Sequence, residues 1–211
     1  MAGCPPRSWP PSRGRPMVDL GRQGARILLA LSLLGPLQSF DWKIQRAIET
    51  LSPSPLDRPM HFVSDVGRPQ LVFGILLAIA AFGGPEGAAT ARFAILALIP
   101  TNLAVEGLKR ATRRVRPDGE SSPGNGSFPS SHVANAFALA WVFSRRWRRG
   151  SIVFFAFAAL VGFSRMYLNR HFLSDVLFGA MIGVGCAWAV ERFLARSPRP
   201  LSASPEETVT R

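Results

Sequence analysis

Cysteine, histidine, tyrosine, lysine and acidic side chains are all scarce in this chain, and each scarcity narrows what it can be. The two cysteines, Cys4 and Cys186, lie in a Pro- and Arg-rich leader and in an apolar run. They support neither a disulfide framework nor a metal site. Asp and Glu total 13 against 25 basic residues, a net charge of +12. The basic residues flank apolar runs or sit within short motif blocks instead of forming a separate basic domain, which argues against a nucleic-acid partner. All of them except Lys43 and Lys109 are arginine, a bias that a GC-rich genome produces as readily as function does. Also missing is any charge-free run of the ~20 residues that a membrane span usually needs.

What is present is apolar and bunched, at 47% hydrophobic in 211 residues. Stretches free of ionisable side chains cover 27–40, 69–85, 93–105, 133–144, 150–164 and 176–190. Runs such as VLFGAMIGVGCAWAV and SIVFFAFAALVGF have no polar face for water, and helices apolar on all sides belong in lipid or in deep cores. Too little polar chain remains to cover six such helices, so the expectation is an all-α polytopic membrane bundle of about six transmembrane helices. The helices are expected to run on into the polar motif segments, which supplies the missing length. The first run, ILLALSLLGPLQSF, follows arginines and has the look of a signal-peptide core, but no small-x-small cleavage site follows it. A retained first span is expected. Residues 1–24 form a basic leader expected to be disordered, with Met17 an equal alternative start; 25–195 form the membrane domain; 196–211 form a disordered tail.

Three polar blocks punctuate this apolar chain in a fixed order. KRATRRVRP carries Lys109 and Arg116-Pro117, FPSSH carries Ser130, Ser131 and His132, and SRMYLNRHFLSD carries Arg165, His171 and Asp175. The arrangement resembles the type 2 phosphatidic acid phosphatase (PAP2) family, whose signature is K-x6-R-P, then PSGH, then S-R-x5-H-x3-D. Every charged position is filled, and the one departure is Ser131 in place of Gly. The resemblance implies a PAP2/haloperoxidase-like helical core and lipid phosphatase activity through a phospho-histidine on His171.

The residue types suit that chemistry on their own terms. Phosphoryl transfer needs a nucleophile, positive charge around the equatorial oxygens and an acid for the leaving oxygen. His171 and Asp175, four apart at the expected start of a helix, place a carboxylate where it can take the imidazole N–H and leave the other nitrogen free to attack. His132 opens a helix, where anions are favoured, and can protonate a departing alkoxide before activating water. Lys109, Arg116 and Arg165 neutralise phosphate oxygens, while Ser130 and the backbone around Ser131 cradle them. Neither a metal nor another cofactor is implied. Asn102, Glu106 and Lys109 share one helical stripe, so Asn102 and Glu106 are expected behind the site, with Glu106 holding Lys109 or Arg110. His61 reads as a surface residue. Asp41, Lys43, Arg46, Asp57, Asp65 and Arg68 read as a solvated segment with Phe40, Trp42 and Phe62 at headgroup level.

Arg145, Arg146, Arg148 and Arg149 fill a very short connection, the mark of a cytoplasmic loop. Alternation then places all three blocks on the opposite face, towards the periplasm or cell exterior of a bacterial inner membrane, although Arg110, Arg113 and Arg114 count against it. The expected partners are a lipid phosphate substrate and membrane lipids; no protein partner is indicated. Phosphatidic acid, phosphatidylglycerophosphate, undecaprenyl pyrophosphate and lipid A phosphates all remain open as substrates. A phosphotransferase using the same histidine, and a non-catalytic protein binding anionic lipid headgroups, are the alternatives. Vanadium haloperoxidases share the three blocks but are mainly soluble.

Overall fold

The computed structural model describes residues 36–51, 55–120 and 126–196. The chain divides into two units, Met1–Gln38 and Ser39–Arg211; of the first, only residues 36–38 are described, and they are helical. The leader 1–24, most of the first apolar run, Cys4, Trp9 and the tail beyond Arg196 lie outside the described residues. The second unit carries all three motif blocks.

Every regular element described there is helical: α1 (39–49), α2 (Asp57–Val66), α3 (Pro69–Phe82), α4 (Gly84–Thr112), α5 (Ser131–Arg146), a 3-10 turn (Arg148–Gly150), α6 (Ser151–Tyr167) and α7 (Leu173–Arg196). Proline near the N-termini of α3 and α4 suits positions whose N–H has no helical partner. Arg113 ends α4 in the left-handed region (φ 46°, ψ 34°), its N–H closing on the Lys109 carbonyl at 3.0 Å. As expected, the helices outrun the charge-free stretches. α4 carries Lys109 in its last turn, α5 opens at Ser131, and α7 holds Asp175 in its first turn.

Three helical stretches are long and apolar enough to cross a membrane: α4, α7, and α6 with its preceding 3-10 turn. A fourth is reached if α2 and α3, bent by 56° at their junction, form one span. α5 has only 16 residues, but it packs against α4, α6 and α7, with Val133, Ala134, Ala138 and Val142 fully buried. Leu77, Leu103, Val153 and Met181, on four different helices, are 60–70% exposed, a surface suited to lipid.

The tightest contact joins α5 to α7. A Cβ on Gly179 would lie 2.7 Å from the Ser130 carbonyl oxygen, and one on Gly183 only 2.1 Å from that of Ala134. The two backbones meet across a small-residue stripe, as helices do in lipid, where packing rather than the hydrophobic effect drives association. The Ser130 N–H also donates to the Asp175 carbonyl at 3.1 Å, which fixes the second block against the third. Gly183→Ala is therefore expected to cost about 2–3 kcal/mol through overpacking, seen as a lower Tm in detergent. Gly185→Ala meets open space and should leave Tm unchanged; equal effects would remove the close contact as the cause.

Candidate active site

The C-terminal ends of α4 and α6 and the N-terminal ends of α5 and α7 lie at one end of the antiparallel bundle, so residues more than sixty positions apart in sequence converge there. Arg145, Arg146, Arg148 and Arg149 occupy the opposite end, where Arg145 pairs with Glu191 at 2.8 Å and Arg146 with Glu86.

Asp175 has no solvent exposure, and its carboxylate is fully occupied. Arg114 Nη1 binds Oδ1 at 2.7 Å, the Phe172 N–H donates to Oδ2 at 2.8 Å, and the Ser127 hydroxyl donates to Oδ2 as well. Arg114 reaches further. Its Nη1 donates to Ser174 Oγ at 2.7 Å, its Nη2 binds Asp41 at 2.7 Å, and its guanidinium lies 4.4 Å over the Phe172 ring. Asp41, at 1% exposure, also takes the Ser174 N–H at 3.0 Å and its hydroxyl at 2.5 Å. The expectation of a solvated Asp41 is thus corrected: α1 delivers it into the interior, and Trp42 packs edge-on against Phe172 at 5.0 Å. Exposed His61, Phe40 and Phe62, and the exposed Arg68–Asp65 pair, do fit the interfacial reading.

His171 does not sit in a helix, as its spacing had implied, but two residues before α7 begins. Its Nδ1 lies 2.7 Å from the Ser127 carbonyl oxygen, whereas Asp175 Oδ2 is 3.8 Å away. A carbonyl only accepts, so Nδ1 carries the proton and the Nε2 lone pair is free. Ser127, absent from the sequence-based site, is thus the imidazole's immediate partner, and Asp175 acts on the ring through it. Burial pushes the His171 imidazole below the usual histidine range; the nearby Asp175 opposes this and Arg165 adds to it.

Around it stand Lys109 and Arg116, at 7% and 9% exposure, with half-buried Arg165 and His132, all close enough for their charges to act on one another. Arg165 Nη1 donates to Ser64 Oγ at 2.6 Å, while its buried Nε has no partner among the described residues. Ser130 Oγ, fully buried, likewise has none. Ser131 is the first residue of α5. Glu106 acts on Lys109 electrostatically. Asn102 turns elsewhere, accepting from Asn135 Nδ2 at 3.3 Å and donating to the Leu98 carbonyl at 2.8 Å. Among the described residues no three His, Cys, Asp or Glu side chains gather as a metal site. The end of the bundle is therefore a cationic cluster, with donors unpaired among the described residues, around a buried imidazole, an arrangement suited to an anion.

The sequence profile of the PAP2 superfamily matches residues 90–199, just over half of the chain. The chain belongs to the PAP2 superfamily. Among characterised proteins, the lipid A 1-phosphatase of Porphyromonas gingivalis is 40% identical over 75 residues, covering 34% of this chain and 16% of that protein. The lipid A 4'-phosphatase of Bacteroides thetaiotaomicron is 33% identical over 98 residues, 38% of this chain and 43% of its own. The chain thus spans less than half the length of either relative. Solved PAP2 structures align more fully. Aquifex aeolicus LpxE matches at TM-score 0.63 and 27% identity, over 72% of this chain and 94% of its own. The transmembrane PAP2-type phosphatidylglycerolphosphate phosphatase of Bacillus subtilis matches at 0.64 and 28%, over 78% and 89%. With its apolar spans, this PAP2 chain is an integral membrane protein.

Two outcomes test this geometry. Arg114→Ala leaves the carboxylates of Asp41 and Asp175 buried without a counter-charge, and is expected to cost about 3 kcal/mol or more; an unchanged Tm would show that the clamp carries no weight. In a nitrogen NMR titration in detergent, His171 should still be mostly neutral at the ordinary histidine midpoint of about 6.5, because a lowered pKa shifts protonation to more acidic pH. A midpoint at or above that value would contradict the burial argument.

Proposed function

We propose that the protein is a membrane phosphatase that removes the terminal phosphate from a lipid phosphate or lipid pyrophosphate, with His171 as the nucleophile. The observation that carries this reading is the buried imidazole, its Nδ1 held by the Ser127 carbonyl and its Nε2 free, set beside Lys109, Arg116 and Arg165. A site meant only to hold a headgroup would need the cations but not an oriented imidazole.

In the proposed reaction His171 Nε2 attacks phosphorus and the bond to the lipid oxygen breaks. His132, kept protonated by the bound phosphate dianion, gives that proton to the departing alkoxide. Lys109, Arg116 and Arg165 hold the equatorial oxygens, with Ser130 Oγ and the N–H groups at the start of α5 completing the cradle. His132 then takes a proton from water, whose oxygen attacks phosphorus; the P–N bond breaks, and phosphate and free His171 result. Asp175 and Ser127 keep the ring in its tautomer. Glu106 tempers the charge on Lys109, while Asn102 braces α4 against α5.

The four arginines at the far end support a cytoplasmic placement for that end, and so a periplasmic or exterior site in a bacterial inner membrane. Arg114, the nearest counter-example, is consumed by an internal ion pair. Lipid A phosphates lead the substrate list because both curated relatives act on lipid A, followed by phosphatidylglycerophosphate, phosphatidic acid and undecaprenyl pyrophosphate.

The test is phosphate release by detergent-purified protein from these four lipids in EDTA, with His171→Ala alongside. Release is expected to persist in EDTA and to fall by at least about 10³-fold in the variant. Release that survives in His171→Ala would remove the nucleophile assignment, and loss in EDTA would overturn metal independence. Silence across all four would favour a phosphotransferase or a headgroup-binding protein.

A further inference from the structure

The buried residues of α2 are Met60, Val63 and Ser64, which fall on the three-and-four spacing of one helical face. Two of them are apolar, and the third is a serine with 4% exposure. A hydroxyl on such a face needs a partner. Ser64 finds it in Arg165 of the third block, whose Nη1 donates to Ser64 Oγ at 2.6 Å. The serine is presented from a helix fixed along its length. At the other end of α2 the Tyr167 hydroxyl donates to Asp57, and between them Met60 packs in one cluster with Met166 and Tyr167.

What distinguishes this partner is that it is neutral. Arg114 meets two carboxylates, whereas Asp65, the residue after Ser64, pairs with Arg68 at 2.8 Å and leaves the hydroxyl to hold Arg165. A hydroxyl oxygen fixes the direction of a guanidinium and supplies no counter-charge. A carboxylate in its place would hold the fork as firmly but would compete with a phosphate for it. The turn after α2 makes a second contact with the site. Gly67 has a backbone that any residue adopts (φ −76°, ψ 0°), yet a Cβ there would lie 3.3 Å from His132 Cδ2. Its missing side chain leaves room for the His132 ring.

We infer that Ser64 is a positioning residue for the phosphate site: it aims the Arg165 guanidinium at the phosphoryl oxygens, from a helix outside the three motif blocks. The junction of α2 and α3 closes the side of the site beside His132. The inference rests on the phosphatase reading for the anion that Arg165 meets. A donor already held in the binding direction gives up little freedom when the anion arrives, and its full strength is then available to the charge that develops in the reaction.

The test is a double-mutant cycle in detergent-purified protein: Ser64→Ala, Arg165→Ala and the two together. Two quantities are read, the affinity for orthovanadate by calorimetry and kcat/KM for whichever of the four lipids above the parent hydrolyses. Ser64→Ala is expected to lower both about tenfold, the worth of one hydrogen bond to a charged group. In the Arg165→Ala background the same change should alter either by less than about twofold, because the group it positions is gone. Ser64→Thr keeps the oxygen and should stay within about threefold of the parent. Equal losses in both backgrounds, or a Thr variant that recovers nothing, would overturn the assignment. Coupled losses of vanadate affinity in a protein that hydrolyses none of the four lipids would sustain the positioning role and sink the phosphatase reading; hydrolysis with uncoupled losses would do the reverse.

Discussion

A carboxylate sealed from water has to be satisfied completely, and the active end of this bundle is organised by how Asp175 meets that demand. Its two oxygens take a guanidinium, a backbone N–H and a hydroxyl. Each donor comes from a different place: Arg114 from beyond α4, Phe172 from the turn before α7, Ser127 from the approach to α5. The same guanidinium holds Asp41, so α1 is tied in as well. Burying one ion pair is expensive, and the cost is bearable only when every remaining hydrogen-bonding position is filled. Here the filling of those positions is what aligns the segments.

That arrangement divides the arginines into two kinds. Arg114 has two carboxylates and an aromatic face, so its charge is spent within the fold. Lys109, Arg116 and Arg165 stand together beside the imidazole. One guanidinium serves two carboxylates, so Arg114 lessens without cancelling the pull of Asp175 on those cations. The clamp therefore sets the electrostatics of the cluster while touching none of the atoms proposed to react.

Much of this was legible from residues alone. The three blocks converge as their order implied, and the helices extend into them. What could not be read were contacts that depend on the path of the backbone. Among Arg110, Arg113 and Arg114 nothing in composition singles out one. The left-handed turn at Arg113 ends α4 and lets the next residue point inward. Asp41 lies more than seventy residues from Arg114, in a stretch whose alternating charges look solvated. Ser127 sits among small polar loop residues with no periodicity to mark it, and its decisive atom is a backbone carbonyl, which no side-chain pattern reports. The four-residue spacing of His171 and Asp175 was a fair guide to proximity but not to the bond, because the helix starts between them.

The backbone contact of α5 with α7 bears on how such a chain can change over evolutionary time. Ser130 and Ala134 on one side, and Gly179 and Gly183 on the other, leave no room for a side chain larger than hydrogen on α7. Because the atoms in the way are backbone carbonyls, no substitution on α5 makes room for a larger residue at these two positions; only a wider spacing of the helices that carry the two blocks would. The connections outside that contact are under no such restriction. Lengthening the loop after Pro117 or exchanging lipid-facing side chains leaves the pairing intact, and lineages are free to diverge in size and surface around a paired core that cannot drift.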